Sequence, residues 1–193
     1  ISYRLVGSEM CIRDRVPGLQ KIEPANKNVV HSMQNVILLG LGNNTNEKDI
    51  NALTLVNLGS QHTFDNIKVI DSLDDGIEIF GGSVNMSNIT VHDAMDDYFD
   101  TDHGHVGTIN GLKIYQSLKW RGKSLIECGN SKATTATEFV NVSFNNGTDV
   151  SSYLNNGSDM NFNIKTKGDD PDKYDSEVII NGTILTEPTD VHP

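Results

Sequence analysis

Residues 66–79 read NIKVIDSLDDGIEI, and 22 residues further on, at 88–101, the chain reads NITVHDAMDDYFDT. At that offset Asn66-Ile67-Lys68-Val69 falls on Asn88-Ile89-Thr90-Val91, Asp71 on Asp93, and Asp74-Asp75 on Asp96-Asp97. Ile77-Glu78 falls on Phe99-Asp100, and beyond the quoted stretch Val84 falls on Val106. A step of 23 then puts Leu112-Lys113-Ile114 on Ile89-Thr90-Val91. A looser step of 28 brings Val140-Asn141-Val142, and Leu53 to Val56 opens an earlier coil. Such a short fixed period marks a solenoid, because one repeat cannot bury its own apolar face and must stack on its neighbours. Strand alternation points Ile67, Val69, Ile77 and Ile79 inward, and Lys68 and Glu78 outward. A leucine-rich repeat has a similar period, but its Leu/Asn consensus is absent, and a β-sandwich would not hold so strict a register over three units. The fold expected is all-β: a right-handed parallel β-helix of 22–23-residue coils, clearest over residues 51–144, in a fragment of a longer chain.

Equivalent residues in successive coils lie ~4.8 Å apart. Asn66 over Asn88 is therefore expected to form an amide ladder at a corner. The same register stacks like charge on like charge: Asp71 over Asp93, Asp74 over Asp96, Asp75 over Asp97 and Glu78 over Asp100, with Asp102 close behind. Two carboxylates ~5 Å apart repel by roughly 0.8 kcal/mol in water and by ~3 kcal/mol at an effective dielectric of about 20. A domain is stabilised by only ~5–15 kcal/mol, so something must offset four such pairs. Three answers stand open. Solvation and the nearby Lys119, Arg121 and Lys123 could do it. A hard cation such as Ca2+, which takes six to eight oxygen ligands, would suit the cluster. A catalytic dyad that keeps one carboxyl protonated would also do it.

Two further groups draw notice. His103 and His105 stand two apart on a strand pattern, which would put them on one face to bind a ligand or move protons, or else make a polar turn. No third His or Cys ligand sits at zinc spacing. Trp120, between Lys119 and Arg121, could stack on a sugar ring or cover the core edge.

The chain carries 26 acidic and 15 basic residues in 193, a net charge of −11. That balance argues against nucleic acid and anionic membranes as partners, which need clustered Lys and Arg. No apolar run approaches the ~20 residues of a membrane helix. Residues 1–15, ISYRLVGSEMCIRDR, resemble the translated sequencing-adapter read-through found in metagenomic gene models, and are set apart from residues 16–193, read as one β-helix domain. Without Arg4, Arg13, Arg15, Glu9 and Asp14, 12 basic and 24 acidic residues remain, a net −12. Cys128 is then the single cysteine. On this reading the true N-terminus, with any export signal, is missing. Towards the other end Lys167 to Asp175 reads as a charged loop, and Glu177 to Leu185 as a hairpin turning at Asn181-Gly182, within a loop-and-hairpin region at about 165–187.

The run Ala52-Leu53-Thr54-Leu55, Gly59-Ser60 and Asp74-Asp75-Gly76-Ile77-Glu78-Ile79-Phe80-Gly81-Gly82-Ser83-Val84-Asn85 resembles a family of uncharacterised bacterial β-helix proteins, secreted or lipid-anchored. Their hallmark is Asp-Asp-Gly-Ile-Glu-Phe-Phe-Gly-Gly-Thr-Val-Asn with a second Asp-Asp one coil later, here Asp96-Asp97; Ile126-Glu127 and Gly129-Asn130 resemble the family's continuation. The likeness implies a β-helix at the cell surface or outside the cell, and no activity. Asp75 and Asp96-Asp97 also echo polygalacturonase-type glycoside hydrolases. There, however, the histidine comes a coil later than His103 does, and Arg-x-Lys lies on a strand, whereas Arg121-Gly122-Lys123 falls in an insertion. A Ca2+-dependent lyase would need an Arg or Lys base, for which Arg121 or Lys119 could serve. The sequence thus points to a surface β-helix binding glycan or another partner, with Ca2+ on its acidic flank, or alternatively to a polysaccharide lyase or hydrolase using the same aspartates.

Overall fold

The computed structural model describes residues 3–6, 10–12, 30–45, 48–116, 124–128, 135–144, 148–149, 162–164 and 178–185. Its strands stack in parallel into a β-helix with three faces. The lysine face carries the second halves of Ser32–Leu39 and Thr63–Ser72, then Thr90–Ala94, Lys113–Tyr115 and Ser143–Phe144. The acid face is a six-stranded sheet in which Leu53–Val56, Ile77–Phe80, Phe99–Asp102 and Ile126–Cys128 lie side by side. The third face runs from the start of Thr63–Ser72 through Met86–Ser87, Thr108–Asn110 and Glu138–Val140 to Val178–Ile180.

The inward columns form the core. Ile67, Val69, Ile77, Ile79, Ile89, Val91 and Phe99 are all buried. Phe99 meets Phe139 edge-on, with ring centroids 5.6 Å apart, an arrangement worth ~0.5–1.5 kcal/mol beyond the area it buries. The 22-residue step holds in atoms: Lys68 pairs with Thr90, Val69 with Val91 and Ile77 with Phe99. The late step does not. Lys113 pairs with Ser143 and Ile114 with Phe144, so the offset is 30, not 28, and Val142 rather than Val140 follows Leu112.

Each coil bends where a residue takes a left-handed backbone. One corner column runs Asn35, Asn66, Asn88, Gly111 and Asn141, with φ of 57, 52, 53, 78 and 56°. Asparagine is favoured there because its short side chain tolerates positive φ better than most and can bond locally. The amide ladder forms in part: Asn66 Nδ2 donates to Asn35 Oδ1 at 2.7 Å, and Asn141 Nδ2 to Asn110 Oδ1 at 2.9 Å. The expected bond between Asn66 and Asn88 is replaced. Asn88 Nδ2 donates instead to Asp65 Oδ1 at 2.8 Å, a charged and therefore stronger acceptor. A second corner stacks Asp71 and Asp93 (φ 54 and 56°), and a third Asn57, Gly81 and His103 (φ 49, 63 and 54°).

At one end Val178–Ile180 and Thr183–Leu185 form an antiparallel hairpin through Asn181-Gly182, both at positive φ. At the other, Tyr3–Val6 pairs with Ser32–Leu39 and Met10–Ile12 with Leu53–Val56. Those two strands lie in the segment set apart on sequence grounds; an open solenoid edge offers unpaired backbone to any segment that can extend along it.

Candidate functional site

The acid face is built by the Asp-Asp-Gly turn and the strand that follows it. Gly76 is required by close approach: a Cβ there would meet Tyr98 O and Val91 Cγ1, each at 2.5 Å. The missing side chain lets the next coil settle tightly, with Gly76 N bonded to Asp97 O at 2.8 Å. Asp97 N donates to Asp75 Oδ1 at 2.8 Å, and Ser72 Oγ to Asp75 O at 2.6 Å. Asp75 is thus fastened on Asp97 across the coil boundary. On the strand, Glu78 pairs with Asp100 and Asp100 with Glu127, while Thr54 lies on the other side of Glu78. The column Thr54, Glu78, Asp100, Glu127 therefore runs through four coils, with Asn51, Asp75, Asp97 and Ser124 alongside. The Asn51 amide donates to Glu78 Oε2 and to Thr54 Oγ1.

These carboxyls are not a solvated surface. Asp74, Asp75, Asp97, Asp100, Asp102 and Glu127 are all buried. Burial is the main cause of the shifts that follow, because it disfavours the charged form. It pushes Asp75 up to about 9, with Asp97 and Glu78 adding repulsion. Asp97 is pushed up to about 8 by burial, then by Glu127 and Asp96. Asp100 is driven well above the usual carboxylate range by burial, then by Asp102, Glu78 and Glu127. Buried polar atoms are nearly always bonded, yet Asp97 Oδ1 and Asp100 Oδ1 have no hydrogen-bond partner among the described residues.

Oxygens of Asp75, Glu78 and Asp100 lie within 4.8 Å of one another, and so do those of Asp74, Asp75 and Asp96. That is the spread permitted around an ion that holds each oxygen at roughly 2.3–2.6 Å. The donor set, oxygen alone and rich in charge, fits a hard cation, and Asp75 belongs to both groups. A third group joins Asp71, Asp93 and His92, whose Nδ1 lies 3.1 Å from Asp93 Oδ2. Of the nine acids read from the sequence, Asp71, Asp74, Asp75, Glu78, Asp93, Asp96 and Asp100 fall in these three groups. Asp97 and Asp102 flank the Asp75–Glu78–Asp100 group. Glu127 was missed as a site residue, although Ile126-Glu127 repeats Ile77-Glu78 in letters and in register.

The histidines are separated rather than paired. His103 occupies the left-handed corner, exposed, with its ring edge-on to Phe80. That corner breaks the two-residue alternation, and His105 turns inward to full burial. Its Nε2 faces Val84 O at 3.0 Å and so carries the proton, which leaves Nδ1 to accept from Thr137 Oγ1 at 2.8 Å. The Thr137 and Thr101 hydroxyls lie 3.2 Å apart, and Thr101 Oγ1 lies 3.1 Å from Cys128 Sγ. Burial holds the His105 imidazole down at about 4, so the ring is a neutral core member. Lys119, Trp120, Arg121 and Lys123 lie outside the described residues.

Fold and flank together define a parallel β-helix protein with a register-stacked carboxylate face. Residues 39–182 match the family model of the pectate-lyase like beta helix domain, and the chain belongs to that family. No curated protein and no solved structure matches it.

Proposed function

We propose that this is a polysaccharide-associated β-helix, working at the cell surface or outside the cell, whose acid face holds Ca2+ and through it the acidic groups of a glycan. One observation carries the reading: Asp75, Glu78 and Asp100 gather beside Asp97, with Asp75, Asp97 and Asp100 buried and Oδ1 of Asp97 and Asp100 lacking hydrogen-bond partners among the described residues. Burying such a charge alone is costly, and a hard cation would offset the repulsion of the whole column. The family description supplies the link to a polysaccharide. The test is to melt the full chain in EDTA and again with Ca2+ in excess. At about 100 times its Kd, a ligand of the native state adds ~2.7 kcal/mol, or about 5–11 °C for a chain of this size. Asp100→Asn should remove most of that gain. A melting temperature unmoved by millimolar Ca2+ would sink the cation site.

A second reading, a lyase or hydrolase, is favoured by the raised values of Asp75 and Asp97. A carboxyl that still holds its proton near neutral pH is what an acid catalyst needs. A panel of acidic polysaccharides separates the two readings. Turnover that disappears in Asp97→Ala establishes the enzyme; no turnover with retained Ca2+-dependent binding leaves the binding protein.

A further inference from the structure

The lysine face carries a groove that the acid-face reading leaves unused. Lys68, Ile70, Thr90, His92, Lys113 and Tyr115 line an open cavity of about 530 Å3. Lys68, Thr90 and Lys113 occupy one outward column on three successive coils, and Ile70, His92 and Tyr115 the column beside it. The two lysines are thus about 9.6 Å apart, two strand spacings. Both are positive charges in a chain of net charge −11. Neither has an ion-pair partner among the described residues. Beside them the His92 and Tyr115 rings stack at 6.0 Å and 24°. A polar pocket of about 350 Å3 adjoins the groove, sharing Thr90 and Lys113 and adding the Asn66 and Asn88 amides. Asp65 at that pocket accepts from Ser87 Oγ and Asn88 Nδ2 at 2.5 and 2.8 Å.

We infer that this groove is a second binding site, for a glycan strand bearing carboxylate or sulfate groups. The inference stands apart from the acid face and needs no cation there. Each element of the groove answers one feature of such a ligand. The stacked rings and Ile70 offer an apolar platform for the C–H face of a sugar. Thr90 and the corner amides offer partners for hydroxyls. Two lysines with a residue between them suit anionic groups carried on alternate sugars. A polyphosphate or an anionic membrane fits less well, because both demand dense positive charge, where the groove offers two lysines separated by Thr90.

The test is calorimetric titration of the full chain, in EDTA so that the acid face is silent, with three probes: an oligogalacturonide, a sulfated oligosaccharide and a neutral galacto-oligosaccharide. Binding is expected to one or both anionic probes and at least tenfold weaker to the neutral one. The pair Lys68→Gln/Lys113→Gln should weaken it at least tenfold and Tyr115→Ala at least threefold, with melting temperatures unchanged since all three sites face outward. Asp100→Asn should leave it unchanged. Either anionic arm succeeding supports the site and says which anion it takes. The inference is overturned by a lysine double variant that binds within twofold of the parent, by equal affinity for the neutral probe, or by no binding to any. It is overturned as well by lysine-dependent binding to phosphatidylserine vesicles without binding to the sugars, which would make the groove a membrane contact.

Discussion

One register stacks asparagine at a corner and carboxylate on a flank, and the two columns behave in opposite ways. At the corner Asn66 bonds Asn35, and Asn141 bonds Asn110 of the coil before. An amide has both donors and an acceptor, so stacking it on its own kind can satisfy both members. On the flank Glu78 lies over Asp100 and Asp100 over Glu127. An ionised carboxylate only accepts, so stacking it on its own kind leaves lone pairs facing lone pairs. The first column finds its partners among neutral amides and, at Asn88, in the nearby Asp65 carboxylate. The second requires a third party, either protons or a cation, and its burial raises the stakes. A repeat can therefore display a structural column and a functional one with equal clarity, and chemistry tells them apart.

Titration should separate the columns most widely. Asp75 and Asp97 have folded-state values raised from 3.8 to about 9 and about 8. The native state thus holds more protons than the unfolded chain across that window, and stability falls as pH rises. Their contribution is intact below about pH 4 and is lost as pH climbs through 8 to 9. In EDTA the melting temperature is expected to drop by several degrees between pH 5 and pH 9, and Ca2+ should cancel much of the drop. A melting temperature that is flat or rising over that range in EDTA would break the contrast.

Exchanging the chemistry of the columns gives smaller effects of opposite sign. Asp100→Asn in EDTA at pH 8 replaces a buried carboxyl whose ionisation burial, Asp102, Glu78 and Glu127 all oppose with a neutral amide that brings its own donors, and should stabilise by ~2 kcal/mol, read as about 4–8 °C. The mirror change, Asn88→Asp, removes the donor to Asp65 and sets a carboxylate beside a carboxylate. It should destabilise by ~1 kcal/mol at low ionic strength and by less in salt, since the corner is exposed. Denaturant melts of both variants measure this. Two changes of the same sign would mean that amide and carboxylate are interchangeable in both columns.

The inward columns and the stacked acids were legible because the 22-residue step keeps strand phase and side-chain chemistry together. Legibility failed where phase alone was available. The late coil slipped by two residues, and a slip of two leaves inward residues inward; hydrophobic pattern cannot detect it. Glu127 was hidden by its step of 27 from Asp100, where the step before it is 22. For His103 and His105 a shared face and a polar turn both stood open, because nothing in a histidine announces positive φ. The lysine groove could not be read from Lys68 or Lys113 singly, since only the stack through Thr90 makes them neighbours. Burial of the acids was equally invisible, for alternation alone points Asp100 and Asp102 outward to water.

Gly111 tests the corner at its weakest point, where the asparagine column is interrupted. It holds φ 78° between Asn88 and Asn141, so the backbone already has the left-handed form. The atoms nearest to a Cβ there would be Asn88 N and Oδ1 at 3.5 Å and Asn88 Cα at 3.7 Å, which is ordinary contact. Gly111→Ala gains chain stiffness but must hold an ordinary side chain at positive φ, which costs roughly 1–2 kcal/mol; a net loss is expected. Gly111→Asn meets less of that strain, removes glycine's freedom in the unfolded chain, worth ~0.4–1 kcal/mol, and adds an amide to the ladder. It should gain about 0.5 kcal/mol, close to the limit of a denaturant melt. The difference between the two variants, ~1–2 kcal/mol, is easier to measure than either change alone. If Ala and Asn proved equal at this position, neither asparagine's tolerance of positive φ nor its amide would count at this corner, and the amide half of the contrast with the acid face would fall.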